Sequence, residues 1–385
     1  VALIDPSLFT LPYDSALAEG LVEGGHEVVL HGRAPGPADG EPGQVPPTGD
    51  FYQLTETPLM RRAPAPLRLA AKAFDHALSM RALLRRLRRE RPDAIHFQWL
   101  PLPMLDRAFL GALSRIAPLT LTVHDTRPFN GDPSSRLQGL GFIPALRRFH
   151  ALIVHTAQGR ERLRAQGLLE ERMSVLPIGR HVAEPRPLVA AAEAPTETTF
   201  LMFGKIKPYK GADVLIDAFA ALPEALRARS RMRIVGKPYM DLGPLEAQAA
   251  RLGVADRLSL EPRFIADDEI AGLFGPGTVA VFPYREIEMS HVLSYAAALA
   301  RPVVASRIGG FAETVIDGEH GVLVEPGDAA GLAAALRRML EEPGFAERCG
   351  AAMGRAAELS PDWDEIGRRT AAVYEAARVR WAAAA

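Results

Sequence analysis

Hydrophobic positions along the chain take two alternating forms: short unbroken runs, and longer stretches where they recur with helical spacing. The runs in the first half are "VALI" (1–4), "HEVVL" (26–30), "AIHF" (94–97), "LTLTVH" (119–124), "ALIVH" (151–155) and "MSVLP" (173–177). Between them the spacing predicts helices over 13–24, 66–91, 102–116, 136–149 and 158–166, with Pro12 near the first helix start, where its missing N–H costs nothing. The proline- and glycine-rich stretch 33–50 reads as a loop or a mobile lid. The alternation stops at "EPRPLVAAAEAPTET" (184–198), whose three prolines and lack of period mark a linker. It resumes with strands "TFLMF" (199–203), "RMRIVG" (231–236), "RLSLE" (257–261), "VAVFP" (279–283), "PVVAS" (302–306) and "GVLVE" (321–325). Helices are expected over 212–221, 242–252, 267–274, 290–300 and 329–341. Strands alternating with helices in this way predict an α/β fold of parallel sheets built from βαβ units.

The expected organisation is therefore an N-terminal Rossmann-like domain over 1–180, a linker over 181–198, and a second Rossmann-like domain over 199–360. A terminal helical segment over 361–385 is expected to pack back on the first domain. Two such domains would leave a cleft between them, and ligands on such sheets bind beyond the carboxyl ends of the strands.

Composition narrows the classes. The chain has 385 residues, 48% hydrophobic and 24% charged, with no apolar run long enough to span a membrane. It opens on a strand, so no secretory leader is expected. Cys349 is the single cysteine, which excludes an internal disulfide and a multi-cysteine metal site. A cytoplasmic protein follows as the simplest expectation. Net charge is −1, against nonspecific nucleic-acid binding. The charge divides unevenly, about +4 over 1–180 and about −5 beyond. The basic excess sits in "RALLRRLRRERP" (81–92), which reads either as a solvated helix face over a leucine stripe or as a patch for anionic lipid or an anionic acceptor. Under the second reading the protein is peripheral on the inner face of the membrane through residues 81–91.

Chemistry concentrates at strand ends. In "FGKIKPYKGADVLIDAF" (203–219), Gly204, Lys205 and Lys210 follow a buried strand, and Gly211 precedes a helix. Two ammonium groups beside helix N–H groups suit a diphosphate. In "FPYREIEMSHVLSYAAALARPVVASRIGG" (282–310), Ser290 is the expected N-cap of a helix whose first amides, at His291 and Val292, suit phosphate oxygens. Glu286 and Glu288 are placed to accept hydrogen bonds from sugar hydroxyls. In the first domain, Thr10, Tyr13 and Asp14 line the end of strand one as candidate acceptor contacts. Trp99 is a candidate stacking platform for a sugar or lipid, and His124, Asp125 and Arg127 share a rim.

Four pieces together, "GKIKPYKGADVLIDAF", "PVVASRIGGFAETVIDGEHGVLVEPGD", "TVHD" (122–125) and "SPDWDEIGRRTAAVYE" (360–375), resemble family 4 of the glycosyltransferases, enzymes of the GT-B fold that use nucleotide-sugar donors. The resemblance covers most of the second domain strongly and the first weakly. It implies that Lys205 and Lys210 neutralise the donor diphosphate, that the turn Ser290–Val292 binds its distal phosphate, and that His124 lies near the reacting sugar. Phe264 and Ile265 fall where the family lodges the base. Such enzymes usually carry two glutamates with seven residues between them; aligned on "PVVAS", those positions hold Ile287 and Tyr295, with Glu286 one residue early and Glu288 in reserve. Ala300 replaces the usual glycine before "RPVV".

The implied function is retaining transfer of a hexose-type sugar from a nucleotide-diphosphate sugar, UDP or GDP undecided, to a saccharide, lipid-linked or small-molecule acceptor. His124, Glu286 and Lys210 are the candidate catalytic residues, and Tyr295 joins the donor-binding set. No Asp-x-Asp follows a predicted strand, the one in the chain being Asp362-Trp363-Asp364 in the terminal helical segment, so no metal and no further cofactor are expected. The competing expectations are an inactive nucleotide-sugar-binding partner subunit, and a phosphorylase or epimerase on the same architecture.

Overall fold

A computed structural model describes residues 1–384 except 37–38, 40–42, 58–59, 61–63, 127–138, 140 and 181–196. The chain divides into two compact units, Val1–Gly179 with Pro361–Ala385, and Arg180–Ser360. Each is an α/β unit around one six-stranded sheet in which every pairing is parallel.

In the first unit the strands are β1 (Ala2–Asp5), β2 (Val29–Gly32), β3 (Ile95–Phe97), β4 (Leu119–Val123), β5 (Ala151–Val154) and β6 (Met173–Val175), in the order β2-β1-β3-β4-β5-β6. Helices α1 (Leu11–Glu23), α2 (Ala65–Glu90), α3 (Pro103–Leu113), α4 (Phe142–Leu146) and α5 (Ala157–Ala165) connect them. The second strand starts three residues later than its hydrophobic run, because the chain turns at Gly24 and Gly25, the latter at φ 83°, and His26 N–H still bonds to Leu21 O at 3.0 Å. The helix expected over 136–149 is reduced, within the described residues, to α4; 136–138 and 140 lie outside them.

In the second unit β7 (Thr198–Phe203), β8 (Ser230–Val235), β9 (Leu258–Glu261), β10 (Thr278–Phe282), β11 (Val303–Ser306) and β12 (Gly321–Val324) take the order β12-β11-β10-β7-β8-β9. Its helices are α6 (Ala212–Ala220), α7 (Glu224–Arg227), α8 (Gly243–Arg251), α9 (Asp267–Leu273), α10 (His291–Ala298), α11 (Gly309–Thr314), α12 (Ala329–Glu341) and α13 (Phe345–Leu359). Of the linker expected over 181–198, residues 181–196 lie outside the described residues, and β7 already begins at Thr198.

The final helix, α14 (Trp363–Ala384), belongs to the first unit. It lies glycine to glycine on α1: a Cβ on Gly20 would stand 2.0 Å from Trp363 O, and one on Gly367 would stand 2.3 Å from Gly20 O. Backbone contact at that range leaves no room for any side chain, so these two glycines set the approach of the helices. Val373 and Ala377 of α14 close over Ala151 and Ile153 of β5.

Candidate functional site

β7 is where the second sheet reverses its direction of growth. β8 and β9 extend it on one side, and β10, β11 and β12 on the other. Alternation along β7 follows from the two-residue period of a strand: Phe200 and Met202 face α6 and α8, whereas Leu201 and Phe203 face α9 and α10. The loops after β7 and β10 therefore part to opposite faces, which opens a crevice beyond the carboxyl ends of those strands. Both lysine- and serine-bearing loops singled out above are these two loops.

The loop after β7 turns through Gly204, at φ 107°, and a 3-10 turn over Pro208–Lys210 that ends at Gly211, at φ 71°. This geometry carries Lys210 back beneath the strand end. A Cβ on Gly204 would stand 3.1 Å from Lys210 Nζ and 3.3 Å from Val292 Cγ2. An ammonium group, a bare strand-end backbone and the first turn of α10 thus meet at one point. Lys210 is only 7% exposed, and burial lowers its ammonium from the ordinary 10.5 to about 8. Its Nζ lies 5.0 Å from the ring centroid of Tyr284, whose π face attracts a cation. Among the described residues, Lys210 Nζ has no carboxylate partner and no hydrogen-bond acceptor. A buried cation without an anion is costly unless a ligand supplies one.

The loop after β10 is fastened to the lysine loop. Arg285 N–H bonds to Tyr209 O at 2.7 Å, and its guanidinium grips Asp213, in the first turn of α6, at 2.6 and 2.9 Å. The hydrogen bonds from Arg285 hold the Asp213 carboxyl below the usual carboxylate range. Both side chains are more than 40% exposed, so the pair sets position more than stability. Farther along, Gly310 N–H bonds to Glu288 O at 2.7 Å, and a Cβ on Gly309 would stand 2.4 Å from Ile287 O. The paired glycines after β11 are the cradle on which residues 287–289 rest.

The predicted donor-side residues divide in three. Gly204, Lys210 and Val292 come together at the crevice, His291 precedes Val292 as the first residue of α10, and exposed Lys205 stands at the same strand end. Ser290 occupies the N-cap position but its hydroxyl makes no capping bond, so the expectation of a side-chain cap is corrected. Glu286 is exposed whereas Glu288 is 3% exposed, which leaves Glu286 as the carboxylate turned toward solvent. Ile287 and Tyr295, at the two departing positions, pack against the cluster of Phe282, Tyr284, Leu293 and Phe311. Phe264 is half exposed and Ile265 is buried in that same cluster. Lys207 belongs elsewhere: its Nζ lies 5.6 Å from the ring centroid of Tyr239, and it lines a cavity of about 250 Å³ on the α6–α8 side.

Ala300 follows the end of α10 at φ 52°, a conformation that costs a side-chain-bearing residue about 1 kcal/mol or more. Ala300→Gly is expected to raise unit stability by about 1 kcal/mol, close to 2 °C in thermal denaturation, with ligand binding unchanged.

The first sheet has its own reversal, between β1 and β3. Thr10, in the loop after β1, accepts a hydrogen bond at its Oγ1 from Trp99 Nε1 at 3.1 Å, in the loop after β3. Trp99 stacks on His124 with centroids 5.4 Å apart. Tyr13 and Asp14, expected to touch an acceptor, are 1% and 0% exposed: α1 turns both inward. Tyr13 packs edge-on against His124, His155 and Trp363. Asp14 shares a buried hydrogen bond with Asp5, and burial raises both carboxyls above the ordinary range, Asp14 further because Asp5 stands beside it. The pair supports the loop from behind, since Asp5 accepts from Ser7 N and Thr10 N at 3.2 Å each. Asp125 is half-buried beside His124, and Arg127 lies outside the described residues.

Sequence reasoning missed the partners of His124. Val123 pairs with Val154, so His124 and His155 leave adjacent strands in register. His155 Nδ1 faces Leu176 O at 2.9 Å, which fixes its proton there, and its Nε2 accepts from His124 Nδ1 at 3.2 Å. Burial lowers His155 to about 4, so it stays neutral. On the other side of the ring, His124 Nε2 lies 3.1 Å from Gln98 Oε1. Behind Gln98, His96 contacts Thr122 and Tyr374 at 2.8 Å each, and burial lowers it to about 3. The signal was present as two histidines, each closing a predicted strand.

Comparison with known proteins follows the same division. Residues 12–179 match the model of the glycosyl transferase 4-like domain, and residues 197–342 match that of glycosyl transferases group 1. A D-inositol 3-phosphate glycosyltransferase of Streptomyces griseus is 34% identical over 235 residues, 58% of this chain and 48% of that protein. Its counterpart in Streptomyces scabiei is 32% identical over 262 residues, 64% of this chain and 58% of that one. The chain thus spans about half the length of the curated relatives it matches. Among solved structures, Anabaena HepE in complex with UDP-glucose aligns at a TM-score of 0.69 and 17% identity, covering 97% of this chain and 98% of that one. Sucrose-phosphate synthase from Thermosynechococcus elongatus aligns at 0.73 and 21%, with the same coverage of 97% and 98%. At such identities the structures speak to the fold alone.

Proposed function

Because the chain belongs to the glycosyltransferases of the GT-B fold, we propose that it moves a hexose-type sugar from a nucleotide-diphosphate sugar to a hydroxyl of a saccharide, lipid-linked or small-molecule acceptor. One observation supports this most: the buried Lys210 ammonium, without a carboxylate partner among the described residues, beside Gly204 and the first turn of α10. A diphosphate supplies the missing negative charge. Lys205, Lys210 and the amides of His291 and Val292 then stabilise the departing nucleoside diphosphate without a metal or further cofactor. The acceptor oxygen attacks the anomeric carbon from the face the phosphate leaves. The sugar–phosphate bond breaks with its electron pair on the phosphate oxygen, which takes the acceptor proton, so configuration is retained. Glu286 holds sugar hydroxyls, and Phe264 and Ile265 receive the base. His124 orients the sugar or acceptor, with Trp99 and Thr10 on the acceptor side. Solved relatives of this fold carry UDP and UDP-glucose, which favours UDP over GDP. We place the reaction in the cytoplasm, with the acceptor presented at a membrane surface.

A thermal-shift series with UDP, GDP and their sugars, with and without a chelator, tests the reading. Ligand at about a hundredfold its Kd stabilises by about 2.7 kcal/mol, or roughly 5–10 °C in a unit of this size. A chelator-insensitive shift of that order is expected. No shift with any nucleoside diphosphate contradicts the reading. The inactive-partner alternative is favoured by one fact, the packing of Ile287 and Tyr295 where the family's glutamates stand; nucleotide binding with no transfer to any acceptor would establish it.

His155→Leu removes the acceptor that holds the His124 proton. Turnover is expected to fall about tenfold with donor KM nearly unchanged, and the pH–rate profile to move because the His124 ring loses the acceptor facing its Nδ1. An unaltered profile would make His155 a packing residue only.

A further inference from the structure

α2 has an inner face that cannot turn outward. Asp75 Oδ2 accepts from Leu54 N, Thr55 N and Thr55 Oγ1 at 3.0, 2.8 and 2.8 Å. His76 bridges Asp106 at 2.6 Å and Tyr52 OH at 2.9 Å, and Met80, Leu83 and Leu87 enter the core. With that face fixed, the opposite one is fixed too. Leu67, Phe74, Leu78, Arg81, Arg85 and Arg88 fall within about 40–60° of one line along the helix, at 100° per residue. Leu67, Phe74 and Leu78 are 57%, 63% and 43% exposed, so large apolar side chains stand in water over the first half of the stripe. The second half is arginine. Among the described residues Arg81, Arg85, Arg88 and Arg89 make no ion pair, whereas Arg86, off the stripe, pairs with Asp50 and Glu90. No acidic residue lies on the stripe.

We infer that this outer face of α2 docks on an anionic lipid bilayer. Leu67, Phe74 and Leu78 enter the headgroup–acyl boundary, while the four arginines hold lipid phosphates. Charge selects this occupant. A second copy packed parallel would set arginine against arginine, and one packed antiparallel would bury each arginine cluster on the other's leucines. An acidic peptide would satisfy the arginines and leave Leu67 and Phe74 in water. The inference deepens the proposed function by naming the surface that meets the membrane. Its test reads lipid binding and not transfer, so the two fail separately.

Full-length protein is sedimented with vesicles of phosphatidylcholine alone and of phosphatidylcholine with about one third phosphatidylglycerol, at roughly 0.1 M and 0.5 M salt. Binding is expected only with the anionic vesicles and is expected to weaken at high salt. Replacing Arg81, Arg85 and Arg88 by Gln should lower partitioning about a hundredfold, near fivefold per arginine. Phe74→Ser with Leu78→Ser should lower it at least about tenfold, with the melting temperature unchanged because both side chains are exposed. Absence of binding to anionic vesicles overturns the inference. So does equal binding by wild type and variants, or a dimer in solution that the Phe74→Ser, Leu78→Ser variant dissociates.

Discussion

Lys210→Met is expected to make the unliganded protein more stable and to abolish its response to nucleotide. The two effects share one cause. Burial lowers the Lys210 ammonium from 10.5 to about 8, so keeping it charged inside the fold at neutral pH costs about 3 kcal/mol. A methionine of similar length fills the same space beneath Gly204 without that cost, and a gain of about 1–3 kcal/mol follows. Removing a fixed cation from a developing phosphate charge should lower turnover about a hundred- to a thousandfold at saturating donor and acceptor. The pH dependence carries a definite sign. Between about pH 8 and 10.5 the folded lysine has released its proton while the unfolded one retains it, so wild-type stability should rise across that window. The variant should lack this rise. Denaturation at pH 7 and 10, with and without UDP, checks the stability, nucleotide and pH statements, and turnover at saturating donor and acceptor checks the rate. A variant that is less stable than wild type and still shifted by nucleotide would remove Lys210 from the site.

Gly211→Ala is expected to destabilise the second unit by about 3 kcal/mol or more and to eliminate nucleotide binding in whatever remains folded. At φ 71° alanine carries the left-handed penalty of about 1–2 kcal/mol. The added Cβ would also stand 2.0 Å from Pro283 O and 3.0 Å from Pro283 C, and backbone atoms cannot swing aside. Relief requires the turn carrying Lys210 to part from the loop carrying Arg285. That movement breaks the bond from Arg285 N to Tyr209 O and withdraws the ammonium from α10. Gly253→Ala is the control, since Gly253 has φ 69° with nothing within 4 Å and should lose only the conformational part. Urea denaturation of the two variants should rank Gly211→Ala well below Gly253→Ala. Equal losses would mean that the lysine turn does not press on the β10 loop.

These two positions also show what was legible in the residues. The alternation of "TFLMF" with a helical stretch located the end of β7, and lysines beside glycines named an anion. Sheet order was not readable, because local periodicity does not report which strands are neighbours. That order brings the loops after β7 and β10 to one crevice. Tyr13 and Asp14 show the reverse error. Both follow a strand end and are polar, yet α1 starts at Leu11 and points them into the core, where Asp14 meets Asp5. The His124–His155 contact depended on register between β4 and β5, a long-range fact. Ser290 was placed correctly as a helix boundary by its position, while its hydroxyl does not cap. On α2, one of the two readings of 81–92 has its leucines packed, and Leu83 and Leu87 do enter the core, but the exposed apolar half at 67–78 emerged only once the inner face was known.

The central claim is that a nucleoside diphosphate sits against Gly204, between the Lys210 ammonium and the start of α10. A crystal structure with bound UDP tests it most directly. The account expects phosphate oxygens within hydrogen-bonding distance of Lys210 Nζ and of the amides at His291 and Val292. A diphosphate bound away from all three, with Lys210 still buried against Tyr284, would contradict it.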